Sequence, residues 1–299
     1  MMIMKTFEKS FIKNQSAMEY LMTYGWSILI IAVVLGALSF LGVFNPITFA
    51  PKANPGSCQI VKNTQLGISN LVGSCNNQVP QYVAQFNGNS YVNVSIPVNT
   101  PQITVILWFK ASTFSSGNPR IIANGQPDGS LDNGFELFVN NGGGSGAWCV
   151  GNATSLKNSY AGWNKQLSTS TWYMYAGTYS GITGNTTVFL NGKPIDTHVN
   201  AVNSISSSHP INIGRDPNYN GDYFYGQLAN IQIYNVSFSS STISSIYQNG
   251  VGGVPIDLQN LVAWWPLNGN ANDYSGNNNN GVPTNVVFTS NWYNGYTQP

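Results

Sequence analysis

The side chains able to do chemistry are few, and their neighbours narrow what each can do. Past residue 20 there is one glutamate, Glu136, in the run GFELFVNN, which contains no second acid. Hydrolysis of a glycosidic bond needs two carboxylates, about 5–5.5 Å apart for retention or 6.5–9.5 Å for inversion. Glu136 lacks such a neighbour in its strand and reads as a solvated strand residue or the partner of a nearby cation. Serines are plentiful, yet no G-x-S-x-G elbow accompanies either histidine, His198 or His209. Those two histidines and the three cysteines, Cys58, Cys75 and Cys149, give none of the usual zinc spacings. The sequence therefore predicts a protein that is not an enzyme.

Binding chemistry has more candidates. Trp148, Tyr160, Trp163, Tyr219, Tyr223 and Tyr225 sit near Gly- and Asn-rich stretches, where an exposed ring stacks on a sugar and a buried one covers the core. Asn268, Asn272, Asp273 and Asn277 crowd one loop, and Asp216 and Asp222 another; these are oxygen ligands of the type calcium takes, or simple turn residues. Four Asn-x-Ser/Thr sequons, at Asn93, Asn152, Asn185 and Asn235, are glycosylation candidates, with Asn152 and Asn185 in the most turn-rich surroundings. Cys58 and Cys75 flank a short segment and are the expected disulfide. Cys149 is left as a buried apolar strand residue or half of an intermolecular bridge.

These residues must be held in place by a chain that opens on an apolar element. No charge occurs from Leu21 to Phe44, a stretch that as a helix covers about 36 Å at 1.5 Å per residue, enough for a bilayer. Lys5, Lys9 and Lys13 precede it against one acid, Glu8, which keeps the N-terminus inside and sends the body out. The apolar run exceeds the 7–15 residues or so of a cleaved secretion signal. Glu19 stands at its start, where an acid is costly unless paired.

The junction Asn14-Gln15-Ser16-Ala17-Met18-Glu19-Tyr20 resembles the archaeal class III signal peptide of type IV pilin-like proteins, with Asn14 where a glycine is common. The resemblance implies that a prepilin peptidase cuts between Asn14 and Gln15 and that Glu19, fifth in the mature chain, meets the new amino terminus of a neighbouring copy. It also implies assembly machinery, a membrane-held precursor and a filament of many copies at the cell surface. Gly25, Gly36, Ala37 and Gly42 would let such helices approach closely.

Composition argues against nucleic acid. Only 7% of the residues are charged and the net charge is +1, with no basic cluster beyond the leader. Pro46, Pro51 and Pro55 end the helix and suggest a stalk. From Tyr82 short β-branched and aromatic runs such as ITVILWFK and TWYMYAGTYS alternate with turns, among them Asn191-Gly192 between two runs that would form a hairpin. One helix is expected in SSTISSIYQN, capped by Ser239 or Ser240.

The order of pieces from Tyr82 to Gly250 (FNGNSYVNV, ITVILWFKAS, TWYMYAGTYSG, VFLNGKPI, INIGR, FYGQLANIQIYNV and the helix) resembles the laminin-G-like, or concanavalin A-like, domain. That resemblance implies an antiparallel β-sandwich with an extracellular, often sugar-binding, use. LVAWWPLNGNANDYSGNNNNG, Leu261 to Gly281, resembles a segment that opens the family's fold but here comes last. Either the sandwich is permuted or a second domain is cut short; the few residues that follow favour permutation. The expected domains are a leader at 1–14, a membrane or filament-core helix at 15–45, a stalk at 46–80 and a sandwich at 81–299. The expected function is a filament subunit with an adhesive, glycan-binding head. The alternative is a singly anchored lectin-like protein.

Overall fold

In a computed structural model the chain forms two compact units, residues 1–50 and 51–299. The structure describes residues 20–299 except 21, 23, 41, 42, 45, 64, 77, 115, 116, 126–132, 141, 143, 153–156, 201 and 218–220. Asn14, Gln15, Glu19 and Tyr219 lie outside the described residues.

In the first unit residues 24–40 are helical, and a one-turn helix, Pro46–Phe49, follows. Apolar side chains along the longer helix, among them Trp26, Ile30 and Phe40, are exposed. Among the described residues no helix is long and apolar enough to cross a membrane. The anticipated span starts at Gln15 and so reaches beyond those residues.

In the second unit, among the described residues, the strands form a nine-stranded and an eight-stranded sheet plus two small pairs. The nine-stranded sheet runs Val282–Thr284, Tyr91–Val94, Ile211–Ile213, Arg120–Ala123, Gly134–Val139, Ser145–Asn152, Ile205–Ser207, Val98–Thr100, with Lys157–Asn164 also on Ser145–Asn152. The eight-stranded sheet runs Lys193–Val199, Asn185–Leu190, Trp172–Ser180, Gln102–Ala111, Tyr225–Tyr234, Val83–Asn87, Val287–Thr289, with Leu261–Trp265 also on Tyr225–Tyr234. The C-terminal segment therefore supplies strands to both sheets of one sandwich.

Period-two alternation decides what each face carries. Across the nine-stranded sheet Val92, Ile213, Ile122, Leu137, Trp148 and Ala161 are successive register partners, and all belong to the core. They meet Val105, Leu107 and Tyr175 from the other sheet in the same cluster. Trp148 donates from Nε1 to Thr178 O at 3.1 Å, and Trp163 from Nε1 to Tyr175 Oη at 3.2 Å, which ties the sheets by polar bonds inside an apolar layer. Gly177 makes this possible, since a Cβ there would lie 2.2 Å from Trp148 Cδ2.

The outer face of the eight-stranded sheet is covered too. Helix Ser240–Gln248, capped by the Ser239 side chain accepting from Thr242 N, stacks Tyr247 on Trp108 with centroids 5.7 Å apart. The C-terminal Trp292 is fully buried and donates from Nε1 to Pro80 O at 3.0 Å. The prolines after the helix suggested a stalk, but the segment from residue 51 is part of the sandwich unit. Lys52–Ala53 pairs with Val79–Pro80, and Ile60 N donates to Tyr274 O at 2.9 Å. Proline ends a helix without freeing the chain, because the remaining backbone groups still need partners. The hairpin Cys58–Asn63/Ile68–Gly73 is closed by the Cys58–Cys75 disulfide, whose separation of 17 residues is worth roughly 3 kcal/mol in the chain-entropy model. Cys149 forms no disulfide and is buried.

Candidate binding face

One residue along from the core row, the nine-stranded sheet presents a different set outward. Asn93, Asn212, Ala123, Glu136, Cys149 and Tyr160 are successive register partners. An outer face is normally solvated, yet Asn212, Glu136 and Cys149 are buried. Part of the cover is the segment that follows Ile211–Ile213: Arg120 N donates to Asp222 O at 2.9 Å, and Arg120 forms an isolated bridge with Tyr223.

Charge concentrates here although the chain has little of it. Arg120 donates from Nε to Glu136 Oε2 at 2.7 Å and from Nη1 to Asn118 O at 2.7 Å and Asp222 Oδ2 at 3.4 Å. Asp216 Oδ2 lies 3.8 Å from the same Nε. Side-chain exposure is 3% for Arg120, 0% for Glu136, 1% for Asp216 and 28% for Asp222. The guanidinium also lies 4.9 Å from the Phe138 ring centroid. Among the described residues three carboxylates thus face one buried guanidinium, and Asp222 is the most exposed of the three. Beside them Arg215 stacks 3.5 Å above Tyr91 and donates from Nε to Asn212 Oδ1 at 2.8 Å.

Tyr160 ends the row at 48% exposure. It lies two strand spacings, about 10 Å, from Glu136. Its ring folds over Gly162, where a Cβ would come 2.6 Å from Tyr160 Cε1. Of the other aromatic candidates, Tyr223 is half-buried and Tyr225 exposed. Trp148 and Trp163 are corrections: both face inward and are core residues, not sugar platforms.

The loop that suggested calcium spends its oxygens on the protein. The Asp273 carboxylate accepts from Trp264 N, Ser275 N, Ser275 Oγ and Asn279 N at 2.8–2.9 Å. Asn268 accepts from Tyr82 N and donates to Ala53 O, Asn277 donates to Leu261 O and Val262 O, and Asn272 is exposed. Asp216 and Asp222 face Arg120. Among the described residues no three His, Cys, Asp or Glu side chains are grouped to hold a metal ion. Asn152 is also a correction as a glycosylation candidate, because it is buried and its amide nitrogen donates to Ser204 O and Ser204 Oγ.

Sequence reasoning did not find Arg120, Arg215, Tyr91 or Asn212. The available signal was scarcity: an arginine opening the apolar run RIIA in a chain with 7% charge needs a partner.

Two mainly antiparallel sheets packed face to face place the domain in the β-sandwich class. The profile of the concanavalin A-like lectin/glucanases superfamily matches residues 86–244, and the chain belongs to that family. No curated protein matches the sequence. Among solved structures it is similar to a candidate carbohydrate binding protein from Bacteroides ovatus ATCC 8483, at TM-score 0.54 and 19% identity, covering 74% of this chain and 66% of that one. It is also similar to a heptameric SAP-like pentraxin from Limulus polyphemus (TM-score 0.49, 18% identity, 69% and 94% covered). A third is the CBM40 of Ruminococcus gnavus IT-sialidase bound to α2,3-sialyllactose (TM-score 0.43, 14% identity, 55% and 97%). At these identities the likeness is one of fold.

Proposed function

We propose that residues 51–299 are a glycan-binding head displayed outside the cell by the apolar N-terminal helix. The observation that carries the binding reading is the outer face of the nine-stranded sheet, where exposed Tyr160 stands in line with a buried ion cluster whose solvent edge is Asp222. The C–H face of one sugar stacks on the Tyr160 ring, and hydroxyls of a unit further along the same glycan donate to the Asp222 carboxylate. The spacing along the row suits an oligosaccharide more than a single sugar.

Binding without hydrolysis fits the same geometry. Glu136 has no exposure and its Oε2 is held by Arg120, so it cannot reach a glycosidic oxygen. On a glycan array the isolated 51–299 unit should bind a defined set of oligosaccharides, and a blank array would end the glycan reading.

The filament reading is supported by the exposed apolar side chains of helix 24–40 and by the Gln15 and Glu19 junction. Cleavage before Gln15 would create an ammonium that Glu19 of the next copy neutralises, so that helices polymerise and heads decorate the outside. N-terminal sequencing of the mature protein tests this. A start at Gln15 is expected, whereas a retained Met1 would leave a singly anchored lectin-like protein.

A further inference from the structure

At one end of the sandwich, where Val98–Thr100 leaves one sheet and Gln102–Ala111 begins in the other, lies a cavity of about 230 Å³. Its floor is apolar, formed by Val98, Ile103 and Ile233, all buried, with half-buried Val262 beside them. Its rim carries the exposed amides Asn99 and Asn235. An apolar cavity of about 150 Å³ admits benzene, so there is room here for a six-membered ring. An apolar floor below an amide rim matches a pyranose, which has a C–H face and a hydroxyl edge.

Asn235 on that rim is also the first residue of the sequon Asn235-Val236-Ser237. The structure separates it from the other three sequons. Asn152 is buried and bonded to Ser204. Asn93 is half-buried in a strand paired on both sides. Asn185 opens a strand in which its hydroxyl residue, Thr187, bonds Thr197 at 3.0 Å. Asn235 instead lies in a bend past Tyr225–Tyr234 with its side chain exposed, the kind of loop a modifying enzyme can enter.

We propose that Asn235 carries an N-linked glycan and that the first sugar of that glycan seats in this cavity. In the linking step Asn235 Nδ2 attacks the anomeric carbon of a lipid-phosphate-activated oligosaccharide. The N–C bond forms as the sugar C–O bond to phosphate breaks, the amide gives up one proton, and the lipid phosphate leaves with the electron pair. The seated ring covers apolar wall that water would otherwise touch.

The test uses the full chain, produced in a host that glycosylates Asn-x-Ser/Thr on exported proteins, purified from its membranes or surface and analysed by glycopeptide mass spectrometry. Asn235 should be occupied, and Ser237→Ala should abolish the modification while leaving Asn235 and the cavity intact. An amidase that cuts the Asn–sugar bond should act on the native chain about tenfold more slowly than on the denatured chain, the factor that 1.4 kcal/mol of seating gives. Val262→Trp, which fills the cavity, should remove that protection. An unmodified Asn235, release at equal rates, or protection that survives Val262→Trp would each overturn the proposal.

Discussion

Replacing Arg120 by methionine probes the core of the candidate face most severely. The methionine keeps much of the apolar stem against Phe138 but removes the guanidinium that Glu136 and Asp216, 0% and 1% exposed, both face. Breaking a buried pair from one side costs roughly 3–5 kcal/mol, because the other charge stays buried without compensation. For a unit of this size, about 2–4 °C per kcal/mol turns that into a melting temperature lower by roughly 6–20 °C. Scanning calorimetry of the 51–299 unit reads it directly, with urea unfolding as a check on cooperativity. The partner experiment is Arg120→Met with Glu136→Leu, which removes the pair together and should recover much of the loss. A drop below about 1 kcal/mol for the single variant, the usual cost of a surface pair, would refute the reasoning. So would a double variant no more stable than the single one.

Gly177→Ala would place a methyl 2.2 Å from the Trp148 indole and should cost roughly 1–3 kcal/mol of stability by overpacking; an unchanged urea midpoint would contradict the inward placement of Trp148. Lys110 is half-buried, donating to Trp292 O and Asn294 O, and burial lowers its ammonium from 10.5 to about 8. The folded chain then sheds this proton first, so the contribution of Lys110 to stability is lowest below pH 8 and rises between about pH 8 and 10.5. The stability difference between wild type and Lys110→Met should therefore shift in favour of wild type over that window, and a difference independent of pH would contradict it. Tyr160→Ala should weaken glycan binding about three- to tenfold without moving the melting temperature, as measured by titration calorimetry, since a ring contact is worth roughly 0.5–1.5 kcal/mol.

What was legible in the sequence is what short-range pattern encodes. The period-two runs became strands, Ser239 caps its helix, and Asn191, with φ of 50°, and Gly192, with φ of 75°, turn the hairpin between Asn185–Leu190 and Lys193–Val199. The β-branched and aromatic LVAWW run is a strand too, and the structure adds that it pairs with Tyr225–Tyr234 in the same sandwich. Which face a residue takes was less legible. Trp148 and Cys149 are adjacent in sequence and opposite in the sheet, and a parity error of one residue turns a core tryptophan into an apparent sugar platform. The ion cluster was out of reach for a different reason. Arg120 and Asp222 are 102 residues apart, and only the finished topology brings them together. The Asn- and Asp-rich loop looked like a cation site because turn chemistry and calcium chemistry use the same side chains, and only the four donors on Asp273 tell them apart.

Hydroxyl-radical footprinting of the head, with and without a saturating glycan drawn from the array, tests the binding face most directly. Tyr160 is exposed enough to label, and the account predicts that bound glycan shields it while exposed Tyr225 and half-buried Tyr293, outside the row, label as before. Unchanged labelling of Tyr160 together with protection elsewhere on the sandwich would contradict it.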